Sequence, residues 1–190
     1  KLSLDGWTRE IHFGFPVNNL PIWNSSKQKI SEMLSFLTGD LWSVDFYQGD
    51  SGNFYIPLNE QISNNFVPEK ICLFSGGLDS LVGSYELLKS SIKTLLVSHF
   101  DVAMSGPNSD QRNIISQLEN KFDINTDFDW VDNRVGAKRG SSKKLETTFR
   151  SRSILFIGMA AYLAHNLTPN ESFHIPENGT ISLNIPLSPS

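Results

Sequence analysis

The stretch Ser75-Gly76-Gly77-Leu78-Asp79-Ser80 has residue types and spacing suited to chemistry on a phosphate anhydride. It follows an apolar run, Ile71-Cys72-Leu73-Phe74, and precedes a helical pattern from about Ser80. Gly76 and Gly77 allow backbone angles and a close ligand approach that side chains would block, so successive N–H groups can point outward as an anion cradle. The helix adds its first unsatisfied N–H groups and the positive end of its dipole, with the Ser75 and Ser80 hydroxyls as further donors. Asp79 is then a candidate catalytic carboxylate, a ligand for Mg²⁺, or a helix cap. The cofactor-binding set reads as Phe74, Ser75, Gly76, Gly77, Leu78, Asp79, Ser80 and Leu81. No lysine follows the glycines to hold a transferring γ-phosphate, so this is not a Walker A loop, and cleavage at the α-phosphate with pyrophosphate leaving fits better. An ordinary strand-to-helix turn also uses Gly, Ser and Asp for capping. The intact motif with a strand before it and a helix after it favours the cradle.

The elements needed to position such a loop are visible around it. From Ile71 onward, short apolar runs alternate with helical stretches, the pattern of a parallel sheet with crossover helices. Strands are expected at Ile71–Phe74, Thr94–His99, Asp127–Val131 and Ser172–Ile175, and helices at Ser80–Lys89, Asp110–Phe122 and Thr147–Asn166. The predicted class is α/β, a doubly wound parallel sheet of Rossmann-like type over residues 67–190, preceded by a small α+β extension over residues 1–66. In that extension no βαβ rhythm is evident. Asn24-Ser25-Ser26 offers an N-cap to a helix carrying Ile30, Met33, Leu34 and Leu37 and ending at Gly39, and Leu41–Tyr47 alternates as a half-buried strand. The polar, basic run Arg134 to Lys144 reads as a surface loop.

Composition narrows the context. With 190 residues and 39% hydrophobic content, the chain can bury one full core plus an appendage. A net charge of −4 gives no overall attraction for nucleic acid. The single cysteine, Cys72, cannot close an internal disulfide, and no apolar run is long enough to span a membrane, so a cytoplasmic location is expected. The sequons at Asn24, Asn166, Asn170 and Asn178 are read as unglycosylated. The chain starts at Lys1 and stops in Leu187-Ser188-Pro189-Ser190, which reads as a piece of a longer protein, truncated at its C-terminal end.

The segment Ile71 to Ser80 resembles the opening of the adenine-nucleotide α-hydrolase superfamily of PP-loop ATP pyrophosphatases, which includes GMP, NAD and asparagine synthetases, tRNA lysidine synthetase and 7-cyano-7-deazaguanine synthase. Two further stretches are similar to the last of these. Phe100-Asp101 followed by Gln111-Arg112 resembles its second-strand segment, interrupted here by Val102 to Asp110. Arg150-Ser151-Arg152-Ser153-Ile154-Leu155-Phe156 resembles its Arg-Asn-x-x-Phe helix entry, with Ser153 in place of the asparagine. An N-terminal extension and the loop Pro176-Glu177-Asn178-Gly179 bring the chain nearer to synthase-like proteins of bacterial anti-phage systems, the QatC type.

The resemblance implies an ATP-dependent carbon–nitrogen ligase that adenylates a deazaguanine carboxylate and passes it to an amine, either ammonia or an amine of a partner protein. ATP and Mg²⁺ are the implied cofactors. Zinc is undecided, because the cysteine cluster of the synthases is absent from these residues. Asp79 and Arg152 are the implied catalytic residues, Arg152 for the developing charge. Gln111, Arg112, Glu177 and Asn178 are candidate substrate contacts. Buried Cys72 is a poor sulfur carrier, which argues against the thiolating branch. His99, at the end of the second strand, is assigned no chemistry. Two other readings are a lysidine-type tRNA ligase, which should carry a basic surface, and a catalytically silent nucleotide-binding scaffold or sensor. The scaffold would dock a partner through Trp7, Phe13, Phe15 and Trp23, although core packing is the commoner fate of such side chains.

Overall fold

The computed structural model of the chain describes residues 8–49, 62–63, 65–101, 105–135, 152–168 and 172–177. The chain divides into two compact units, Lys1–Ile56 with Thr147–Ile154 and Ser188–Ser190, and Pro57–Glu146 with Leu155–Leu187.

The first unit is built from β1 (Glu10–Val17), α1 (Leu20–Thr38) and β2 (Leu41–Gln48). β1 and β2 pair in parallel from Glu10↔Leu41 to Val17↔Gln48. This corrects the expectation of an α+β piece without βαβ rhythm: α1 is itself the crossover that parallel strands require. The rhythm is hidden because β1 keeps only Val17 buried, so its apolar side chains follow no burial period. α1 also starts earlier than the Asn24-Ser25-Ser26 signal suggests. Asn19 is the N-cap residue, and Pro21 in the first turn has its φ preset for a helix and lacks an N–H that would in any case go unpaired there. Ser25 lies inside the helix, its hydroxyl donating to the Ile22 carbonyl. The predicted end holds: Gly39 adopts φ 70° and its N–H closes on the Ser35 carbonyl. Two helix hydroxyls then satisfy the edge of β2, Ser35 accepting the Trp42 N–H at 3.0 Å and Ser31 that of Val44 at 3.2 Å.

The second unit runs β3 (Lys70–Leu73), α2 (Leu78–Lys89), β4 (Thr94–Asp101), α3 (Ser105–Glu119), β5 (Phe128–Val135), α4 (Arg152–Leu167) and β6 (Phe173–His174), the last helix entering this unit at Leu155. All four strands are parallel, in the order β5-β4-β3-β6. The pleat sorts their side chains to two cores. Cys72, Phe74, Leu96 and Phe128 meet Leu88, Ile115 and Leu118 of α2 and α3. Ile71, Leu73, Leu95, Val97 and Val131 meet Ala160, Leu163 and Ala164 of α4. Helices thus cover both faces, which is why β3 and β4 are continuous apolar runs rather than alternating ones. Each fully buried Phe, Leu or Ile contributes about 1.5–3 kcal/mol, so these runs dominate the unit's stability.

Two boundaries differ from expectation for local reasons. α3 begins at Ser105 rather than Asp110, because Pro107 falls in the first turn, where its missing N–H costs nothing. Residues 105–110 of the stretch that interrupts Phe100-Asp101 and Gln111-Arg112 are therefore helix. β5 continues to Val135, pairing residue by residue with β4 as far as Asp101↔Val135, so Arg134 belongs to a strand rather than a loop. Residues 136–144 of the basic run, and the expected helical start at 147–151, lie outside the described residues. Among the described residues no helix is long and apolar enough to cross a membrane.

Candidate nucleotide-binding loop

The loop starts where β3 leaves the sheet. Phe74 still donates its N–H to the Val97 carbonyl at 2.8 Å, but its own carbonyl is taken by the Ser98 hydroxyl at 2.8 Å. Gly76 then turns through φ +86°, a left-handed conformation that favours glycine. Gly77, extended at ψ 175°, is the N-cap of α2 and offers no side-chain cap. The first main-chain bond of the helix runs from the Leu81 N–H to the Gly77 carbonyl at 3.0 Å. The N–H groups of Leu78, Asp79 and Ser80 meet no acceptor among the described residues, so three donors stand at the positive end of the helix dipole.

The two serines divide their work differently from the expectation. Ser80 is buried, donates to the Gly77 carbonyl at 2.8 Å and accepts the Gly76 N–H at 3.1 Å. Ser75 donates to the Ser80 hydroxyl at 3.3 Å and accepts from the Gly77 N–H at 3.4 Å. Both hydroxyls are engaged in bracing the loop, and only Ser75 is exposed. Phe74 and Leu81, expected among the cofactor-binding residues, are supports instead: both pack in the core on the α2 side, and the main-chain groups of Phe74 are consumed by β4. Asp79 sits in the first turn of α2, part-exposed, a favourable place for a carboxylate.

Gln111 and Arg112 do not behave as free substrate contacts. Gln111 is fully buried, its amide nitrogen donating to the Ser75 carbonyl at 3.1 Å and the His99 carbonyl at 3.3 Å. Its spacing to Ile115 and Leu118 places it on the inward face of α3, a helical period that the sequence already displays. Arg112 pairs with Asp132 at 3.5 Å and lies 5.6 Å over the Trp130 ring. Burial raises the Asp132 carboxyl above its usual range, with the Arg112 charge pulling the other way. Trp130 in turn donates its indole N–H to Ser98 at 2.8 Å, so β5, β4 and the start of the loop are linked through side chains.

On the other flank, an open crevice of about 320 Å³ lies between α2 and the residues after β6, bordered by Asp79, Val82, Gly83, His174, Pro176 and Glu177. Asp79 and Glu177 both face this crevice. Gly83, which no local signal singled out, is indispensable to its shape: a Cβ there would stand 2.6 Å from Pro176 Cβ. Asn178 lies outside the described residues. Arg152 opens α4, and its side chain is outside the described set.

Cys72 is buried in the core, and burial pushes its thiol up to about 12, far from a reactive thiolate. His99 is buried with its ring 3.9 Å from that of Phe156. Among the described residues no three His, Cys, Asp or Glu side chains converge as a metal site. In the first unit Phe13, Phe15 and Trp23 are exposed by 49%, 38% and 43%, rather than packed as core, and Trp7 is outside the described residues.

Comparison with protein-family models, with curated proteins and with solved structures finds no match to this chain. Function must be argued from the loop.

Proposed function

We propose that the second unit is a doubly wound PP-loop domain that binds ATP at Ser75–Ser80 and adenylates a carboxylate, releasing pyrophosphate. The observation that carries this reading is the turn itself: Gly76 at φ +86° delivers the chain into a helix whose first three N–H groups have no protein acceptor among the described residues. Such an arrangement suits pyrophosphate oxygens, and the lack of a lysine after the glycines favours pyrophosphate as the leaving group over γ-phosphoryl transfer. Asp79, a carboxylate in the first turn of α2 beside these N–H donors, is assigned to a Mg²⁺ that would accompany the phosphates. Arg152 is assigned to the charge that develops on the leaving groups. The substrate class follows the resemblance to 7-cyano-7-deazaguanine synthase: a deazaguanine carboxylate joins the α-phosphate as an acyl-adenylate, and an amine then displaces AMP to give an amide. The setting assigned is a bacterial anti-phage system.

The test is pyrophosphate release from Mg-ATP with 7-carboxy-7-deazaguanine, comparing the full chain with Asp79→Ala. Release that needs both the substrate and Asp79 supports the ligase. ATP binding without release defeats it and favours a nucleotide-binding scaffold, the reading to which the exposed aromatics of the first unit lend support.

A further inference from the structure

We propose that Gln111 is a positioning residue that pins the Ser75–Ser80 loop from beneath and touches no ligand itself. The loop's link to nucleotide rests on the reading above; the pin rests on geometry alone.

In parallel strands the carbonyls of residues two apart point to the same side. The Val97 carbonyl faces β3, where it accepts the Phe74 N–H at 2.8 Å. The His99 carbonyl therefore faces β3 as well, but at a level where β3 has already turned away into the loop. A buried carbonyl cannot be left bare cheaply. The amide nitrogen of Gln111 occupies that gap, giving one proton to His99 at 3.3 Å and the other to Ser75 at 3.1 Å. One side chain thus ties the end of β4 to the first residue of the loop.

The other half of the amide shows that space-filling is not its role. Gln111 Oε1 is buried and has no hydrogen-bond partner among the described residues. An unmatched buried acceptor costs about 1–3 kcal/mol, which a Leu or Met of similar size would avoid. What the amide adds over those residues is its two donated bonds. The contact with the loop is also steric: a Cβ on Gly76 would lie 2.8 Å from Gln111 Cγ and 3.2 Å from its main-chain nitrogen. Gly76 rests directly on this residue, and its left-handed turn is held against it.

The experiment uses the full chain labelled with ¹⁵N, as wild type, Gln111→Met, Gln111→Leu and the control Ile115→Val on the same face of α3. It reads the amide resonances and hydrogen exchange of Gly76, Gly77 and Ser80, the thermal midpoint, and binding of inorganic pyrophosphate and of Mg-ATP. Gln111→Met should unfold cooperatively, shift and speed the exchange of the loop amides, and weaken both ligands by about tenfold or more. Ile115→Val should lower the midpoint with loop amides and affinities unmoved. Loop amides that stay in place in either folded Gln111 variant overturn the proposal. If neither folds, Gln111→Asn, whose shorter side chain cannot carry its amide to both carbonyls, takes their place, and unchanged Gly77 and Ser80 amides there overturn it equally. Should the wild type bind neither ligand while the loop amides still respond to Gln111, the nucleotide reading fails and the pin stands.

Discussion

The hydroxyl of Ser98 donates to the carbonyl of Phe74 at 2.8 Å, and the same oxygen accepts the Trp130 indole N–H at 2.8 Å. Phe74 is the last residue before the loop, and its carbonyl has lost a ladder partner because β3 ends at Leu73. Ser98→Ala leaves a buried acceptor, the Phe74 carbonyl, and a half-buried donor, the Trp130 indole N–H, unmatched and should cost about 1–3 kcal/mol. Chemical denaturation measures the loss, and a shift in Trp130 fluorescence should accompany it. A loss below about 0.5 kcal/mol would show that water replaces the hydroxyl.

The readability of this fold from sequence divides along burial. Ile71–Phe74 and Leu95–Val97 are apolar on both sides because helices cover both faces, so length and composition alone mark them as strands. β1 carries Gly14 and Pro16 and buries little, and its partner lies beyond a 19-residue helix, so nothing local announces a parallel pair. In the loop, residue types were legible while allegiances were not. Ser80 looks like a ligand donor in sequence, yet folding spends its hydroxyl on Gly76 and Gly77. Gln111 shows its inward position through helical period, although the family resemblance suggested a substrate contact. Gly83 gives no sign at all, since its constraint, Pro176, comes from far along the chain.

That constraint is testable. Gly83→Ala should gain about 1 kcal/mol of helix propensity. The new methyl, however, meets Pro176 Cβ at 2.6 Å and Cγ at 2.9 Å. Because Pro176 closely follows the two-residue strand β6, the expected outcome is displacement of that segment, with a net fall in thermal midpoint and altered His174 imidazole resonances. Gly83→Ala combined with Pro176→Gly should restore the midpoint. A rise for the single variant would mean that the segment gives way without cost.

The first unit depends on a different link. The Asp40 side chain is fully buried, its Oδ1 accepting the Arg9 N–H at 3.0 Å and its Oδ2 the Arg9 guanidinium, including Nε at 3.0 Å. The Leu41 N–H returns to the Arg9 carbonyl at 2.8 Å, so this pair sets the register in which β2 starts beside β1. Removing the guanidinium leaves a buried charge. Arg9→Met should therefore cost about 3 kcal/mol or more, and Arg9→Met with Asp40→Asn distinctly less. Hydrogen exchange of the Trp42 and Val44 amides reads the loss locally, and equal costs for the single and double variants would argue against a charge effect.

Cys72 gives a prediction in pH. Its thiol, ordinarily near 9.0, is raised to about 12 by burial, so between those values the folded chain keeps a proton that the unfolded chain releases. The unfolded state then binds fewer protons, and stability falls as pH rises, by up to about 1.4 kcal/mol for each pH unit above 9. Below pH 9 the group contributes no pH dependence. Cys72→Ala should lose this term while paying for a small cavity at all pH values, so the two stability curves should converge as pH rises from 9 to 11. Thiol labelling gives an independent check: alkylation at pH 8 should proceed only through unfolding, with a rate that follows denaturant. Rapid labelling of the folded chain would place the thiol outside the core.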